Sequence, residues 1–120
     1  MDSQTGRINQ KLIFNLDDLN HRLGSDPELI SMVIGVFVED MPQQIKALKE
    51  AVKGQDTKEA TRLAHSIKGA AANVGGESLQ AAALKLEEAG REGNLTDMAM
   101  DLPDLEQEAI QLIGILEEER

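Results

Sequence analysis

His65 stands in the run Ala64-His65-Ser66-Ile67-Lys68-Gly69-Ala70-Ala71-Ala72-Asn73-Val74-Gly75. A neutral imidazole is a nucleophile available near neutral pH. Its two nitrogens can take different tasks, one attacking while the other donates the hydrogen bond that fixes the tautomer. Whether that chemistry is open to His65 depends on where its helix aims it. Ala60, Leu63, Ala64, Ile67, Ala70, Ala71 and Val74 recur at three- and four-residue intervals and predict one amphipathic helix over 57–74. At roughly 100° per residue, His65 falls about 170° from the centre of the apolar stripe that Leu63, Ile67, Ala70 and Val74 define. Its neighbours on that outward face are Thr61, Arg62, Lys68, Gly69 and Ala72, two of them cations and two almost without side chain. Gly69 in a helix interior costs about 1 kcal/mol relative to alanine, a cost that close approach by another surface would explain. Lys68, one turn beyond His65, offers a compact mobile positive charge, and Arg62 offers a second from the other side.

The elements that must hold this histidine up follow from the same periodicity. A short helix is expected over 16–23, closed by Gly24. Ser25 and Glu28 have capping-box spacing around Pro27 and open a second helix. Its stripe of Ile30, Val33, Ile34, Phe37 and Met41 continues past Pro42 to Val52, as one kinked helix or two in line, and Gly54 ends it. Asp56 and Glu59 form another capping box and start the histidine helix. Gly75-Gly76 breaks the chain into a turn. A fourth helix is expected from Glu77 to Ala89 with Leu79, Ala82, Ala83 and Leu86 inward, followed by a turn bracketed by Gly90 and Gly93. The last helix is expected over 95–118, with Pro103 kinking it or marking its start after Asp101. Residues 1–15 read as a tail or linker stub, from which Leu12, Ile13 and Phe14 can pack on the rest. Residues 16–120 read as one domain. The expected fold is all-α, an antiparallel up-down four-helix bundle with a short additional N-terminal helix.

Composition agrees and excludes several functions. Only two residues are aromatic, both Phe, in a chain that is 41% hydrophobic, so the core must be aliphatic, which favours helices over strands. The net charge of −10 argues against nucleic acid or an anionic membrane as partner. Residues 56–76 run against that trend. Lys58, Arg62 and Lys68 face only Asp56 and Glu59, a local balance of +1, so an anionic group is better tolerated there than elsewhere. With no cysteine there is no disulfide or thiolate metal site, and one usable histidine among scattered carboxylates does not make a metal centre. His21 reads as a surface residue and the methionines as core filler. No apolar run has the length of a membrane span and no signal-peptide pattern opens the chain, so a cytoplasmic location is expected.

The run from His65 to Gly75, with Leu79, Leu86 and Glu87 after it, resembles the histidine-containing phosphotransfer (HPt) domain family. The His-x-x-Lys-Gly core is short. Its specificity comes from its setting in a helix, before a Gly-Gly turn and a second amphipathic helix, and the likeness extends over about residues 16–120. The resemblance implies a phosphocarrier. The outward Nε2 of His65 would take a phosphoryl group from a receiver-domain aspartate and pass it to another receiver, with Lys68 beside the phosphoryl oxygens. Gly69 would give clearance for the receiver's pocket, with Arg62 and Ala72 on the docking face. Some members carry Gln or Glu 22 residues after the histidine to accept the Nδ1 hydrogen. That position is Glu87 here, and Gln80, two turns earlier on the same flank, is the alternative. No cofactor of its own is implied, and Mg²⁺ is expected on the partner. The partners implied are receiver domains of response regulators and hybrid histidine kinases, bound by a monomer through a transient interface of about 1,200 Å² or less.

Two other classes predict different behaviour. A histidine autokinase needs glycine-rich nucleotide boxes, which nothing here resembles, and Ser66 stands where the dimerisation helices of such kinases usually show an acid. A non-catalytic adaptor would bind through its acidic faces whether or not His65 were present. The phosphoacceptor domain of a larger hybrid or chemotaxis-type kinase would carry the same residues.

Overall fold

The computed structural model describes residues 14–119. The expected tail lies outside them except for its last two residues, and so do Leu12 and Ile13. Phe14 is buried, and Asn15 opens the first helix by accepting from the Asp18 amide at 3.0 Å. Five helices follow: α1 (Leu16–Arg22), α2 (Pro27–Lys53), α3 (Thr57–Asn73), α4 (Glu77–Arg91) and α5 (Leu95–Glu119). No strand occurs among the described residues.

Each long helix packs on its neighbours in the chain, and α5 closes the ring against α2. Three-residue turns join α2 through α5, which leaves consecutive helices no choice but to run antiparallel. At roughly 1.5 Å per residue, the 27 residues of α2 span about 40 Å, close to the 41 Å long axis of the molecule. The core between the helices is aliphatic, with Ile34, Leu48, Ile67, Leu86, Leu105 and Leu112 fully buried. α1 seals one end. Leu19 is buried, the Asn15 amide donates to the Gly75 carbonyl at 2.8 Å, and Arg22 donates to the Ala72 carbonyl at 2.9 Å. Gly75 has φ +74°, and a Cβ there would lie 2.7 Å from the Asn15 carbonyl oxygen, so the α3–α4 turn requires glycine on both counts.

Some local expectations are corrected and others are met. Ser25 does not cap α2: its amide bonds back to the Asn20 carbonyl to close α1, at φ +59°, and the cap is Asp26, whose carboxylate accepts from the amides of Glu28 and Leu29. Asp56 does cap α3, accepting from the Glu59 amide at 3.1 Å, but the Glu59 side chain turns to Arg62 instead of completing a capping box. α2 is one unbroken helix through Pro42. α5 starts at Leu95, capped by Asn94, and runs through Pro103. α4 continues to Arg91, so Gly90 is a buried helix residue and not part of a turn.

Candidate functional site

Ala64 and Ile67 are buried on the inner face of α3, which turns His65 and Ser66 outward. The His65 side chain is 64% exposed. Its Nδ1 lies 2.9 Å from Oε2 of Glu87 on α4. Glu87 is 1% exposed, the sole buried charged residue among those described. It reaches the imidazole because α3 and α4 approach closely at one point. A Cβ on Gly90 would lie 2.1 Å from Thr61 Oγ1, so only glycine permits this spacing. Thr61 is one turn before His65, and Gly90 is one turn after Glu87. The Thr61 hydroxyl is itself pinned, donating to the Thr57 carbonyl at 2.7 Å.

Three groups converge on the Glu87 carboxylate. Besides His65, Arg91 donates to Oε2 at 2.5 Å, and the Lys68 ammonium stands 2.8 Å from Oε1. Burial alone pushes this carboxyl up. The contacts of Lys68 and His65, with the charges of Lys68 and Arg91, outweigh burial and hold it below the ordinary glutamate value. Glu87 is therefore an anion that carries no proton to give. Its bond to the imidazole requires the hydrogen on Nδ1, which leaves the Nε2 lone pair bare. Nε2 lies across the ring from Nδ1, away from the buried Glu87, on a side chain that is 64% exposed. The arrangement makes a fixed-tautomer nucleophile beside two cations.

The remaining expected residues fall as follows. Gln80 is half-buried on α4 and its side chain makes no hydrogen bond to the imidazole. Arg62 pairs with Glu59, one turn back on α3. Gly69 is exposed inside α3, and a Cβ there would meet nothing within 4 Å, so nothing in the fold itself calls for glycine. Ala72 is half-buried, its carbonyl occupied by Arg22. On the other flank, Ser66 donates to Gln44 of α2 at 3.3 Å. Gln44 lines an apolar groove of about 260 Å³ between α2 and α3, walled by Leu29, Met32, Val36, Phe37 and Ala70. Leu29, Met32 and Val36 are exposed large hydrophobics.

Sequence reasoning missed Arg91 and this groove. The spacing from Glu87 to Arg91 is the favourable i, i+4 order of acid before base and was open to inspection. The groove's signal was an apolar surplus in α2. Leu29, Met32 and Val36 do not belong to the inward stripe of Ile30, Val33, Ile34 and Phe37.

Comparison with known proteins gives a consistent picture. The family model described as the Hpt domain matches residues 32–115. The fold is similar to histidine-containing phosphotransfer protein B (HptB) from Pseudomonas aeruginosa PAO1, at 22% identity and TM-score 0.83, covering 89% of this chain and 93% of that one. It is similar to the HPT domain of an Hpt sensor hybrid histidine kinase from Shewanella, at 15% identity and TM-score 0.80, covering 90% and 93%. A third structure, the maize histidine-containing phosphotransfer protein ZmHP2, matches at 19% identity and TM-score 0.68, covering 88% and 83%. At these identities the structural likeness is one of fold. No curated protein matches the chain.

Proposed function

We propose that His65 is the phosphoacceptor of this chain, which belongs to the Hpt domain family and is a histidine phosphotransfer protein of phosphorelay signalling. The observation that carries the assignment is the exposed imidazole whose Nδ1 is held by the buried anion of Glu87.

The Nε2 lone pair attacks the phosphorus of a receiver's aspartyl phosphate. The Nε2–P bond forms as the P–O bond to the aspartate breaks. The ring, still protonated at Nδ1, then carries positive charge, and the Glu87 carboxylate lies against it. Lys68, one turn along α3, swings its ammonium to the phosphoryl oxygens. Attack by the aspartate of a second receiver reverses the step and returns a neutral ring. In phosphoryl transfer the protein mainly positions groups and stabilises charge, and Mg²⁺ is expected on the receiver.

The receiver docks over His65 and Gly69 and along the groove of α2, where exposed Leu29, Met32 and Val36 give it an apolar footing. Arg62, tied to Glu59, contributes at the rim. The domain acts as a monomer, has no kinase activity of its own and works in the cytoplasm. No helix among the described residues is long and apolar enough to cross a membrane. The test is incubation with a phosphorylated receiver domain, read by intact mass without acid. The wild type gains one phosphoryl group and His65→Gln gains none. Equal gain by both overturns the assignment, and self-labelling with ATP and Mg²⁺ alone overturns the reading as a carrier without kinase activity.

A further inference from the structure

The Glu87 carboxylate has three partners, and the proposed transfer uses only two of them. The third, Arg91, is the last residue of α4 and donates to Oε2, the same oxygen that receives His65 Nδ1. The two cations hold the carboxylate differently. Arg91 makes a directed hydrogen bond to Oε2. The Lys68 ammonium stands instead 2.8 Å from Oε1, the oxygen that faces neither Arg91 nor the imidazole. Lys68 is also on α3, within reach of whatever Nε2 carries. A phosphoryl dianion there competes with Oε1 for the ammonium. When Lys68 leaves, a carboxylate that is 1% exposed retains only the imidazole and Arg91. A buried carboxylate that loses its compensating charge takes up a proton or turns toward water, and either change ends its hold on Nδ1.

We propose that Arg91 is a positioning residue for the transfer: its guanidinium clamps Oε2 of Glu87 in line with Nδ1 of His65, which lets Lys68 leave Oε1 for the phosphoryl group without disordering the ring. Arg91 is suited to this by its rigid fork and permanent charge. Its own side chain is 61% exposed, and its contact with the site is to the Glu87 carboxylate, through which it acts. The inference rests on His65 as phosphoacceptor.

Phosphoramidate is the donor of choice for the test because it needs no docking surface. Its P–N bond breaks as Nε2–P forms, and ammonia leaves. Two readouts are compared in wild type, Arg91→Ala and Arg91→Lys: the ¹⁵N chemical shifts of the His65 ring, which report the Nδ1–H tautomer, and the labelling rate by intact mass. Without Arg91 the carboxylate is free to rotate toward Lys68. Arg91→Ala is therefore expected to lower the Nδ1–H fraction and slow labelling on the order of tenfold. Arg91→Lys, which keeps a cationic donor, restores most of both. An unchanged ring spectrum in Arg91→Ala overturns the clamp, as does a rate loss that Arg91→Lys does not relieve. If the wild type itself takes no phosphoryl group, the phosphoacceptor assignment has failed, and the ring spectra still decide whether Arg91 orients the imidazole through Glu87.

Discussion

Replacing Gly69 by alanine should make the free domain more stable and the relay slower. Gly69 lies within α3, and a Cβ built there meets no atom within 4 Å. The substitution thus brings no clash inside the fold and removes the penalty of glycine in a helix interior, about 0.8–1 kcal/mol. For a domain of this size that raises the melting temperature by about 3–5 °C. The same methyl projects from the face that carries His65, one turn beyond it. In a close-packed encounter an extra methyl costs about 1–3 kcal/mol, which slows transfer from a receiver by roughly 5- to 150-fold. Phosphoramidate is too small to meet the methyl and should label Gly69→Ala at the wild-type rate. The assays are urea unfolding, receiver-to-domain transfer on a quench-flow timescale, and phosphoramidate labelling. Unaltered transfer from the receiver would refute the clearance argument. An equal loss with both donors would show that the methyl disturbs the imidazole and not the encounter.

Three further outcomes follow from the packing and the charges. Glu87 is held below its ordinary value in the fold, so the native state binds its proton less tightly than the unfolded chain. The stability it contributes is complete above its reference value of 4.5 and is lost as pH falls through the lower native value, so wild type should exceed Glu87→Gln by more at about pH 7 than at about pH 3 in urea titrations. Glu108 is the opposite case. Burial, then the nearby charge of Asp104, raises its carboxyl, so the stability from its protonation is present below 4.5 and lost as pH rises through the native value. Glu108→Gln should therefore stabilise at about pH 7 and lose that advantage at about pH 4, and no gain at neutral pH would contradict the account. Gly90→Ala forces its methyl against Thr61 and Met98, with an expected loss of about 1–3 kcal/mol or more; Thr61→Ala should recover part of it, and strict additivity in the double-mutant cycle would argue against the contact.

The architecture was legible because it depends on local periodicity. The inward stripes of α2 to α4 and the glycines at 24 and 75 recur in the structure where the sequence sets them. The outward aim of His65 follows from the same wheel. What was not legible depends on contacts across helices. Glu87 and Gln80 share a flank of α4, and choosing between them needs the α3–α4 spacing. That spacing is set where Gly90 meets Thr61. Gly90 looked like a breaker because a glycine near a helix end reads as a turn when its partner on another helix is unseen. Ser25 lost the cap of α2 to Asp26 because it sits at φ +59° in the turn after α1, whereas Asp26 has the extended backbone that an N-cap needs. The α2 groove escaped notice because a helix that buries one stripe and offers a second to a partner shows only as an excess of apolar residues.

The proposed transfer requires Glu87 to occupy Nδ1 so that Nε2 of His65 carries the phosphoryl group. It is tested most directly by phosphorylating ¹⁵N-histidine-labelled protein and correlating ³¹P with the ring nitrogens. One phosphorus signal coupled to Nε2 of His65 is expected, with the Nδ1 proton retained. Phosphorus on Nδ1, on His21 or on no imidazole would contradict it.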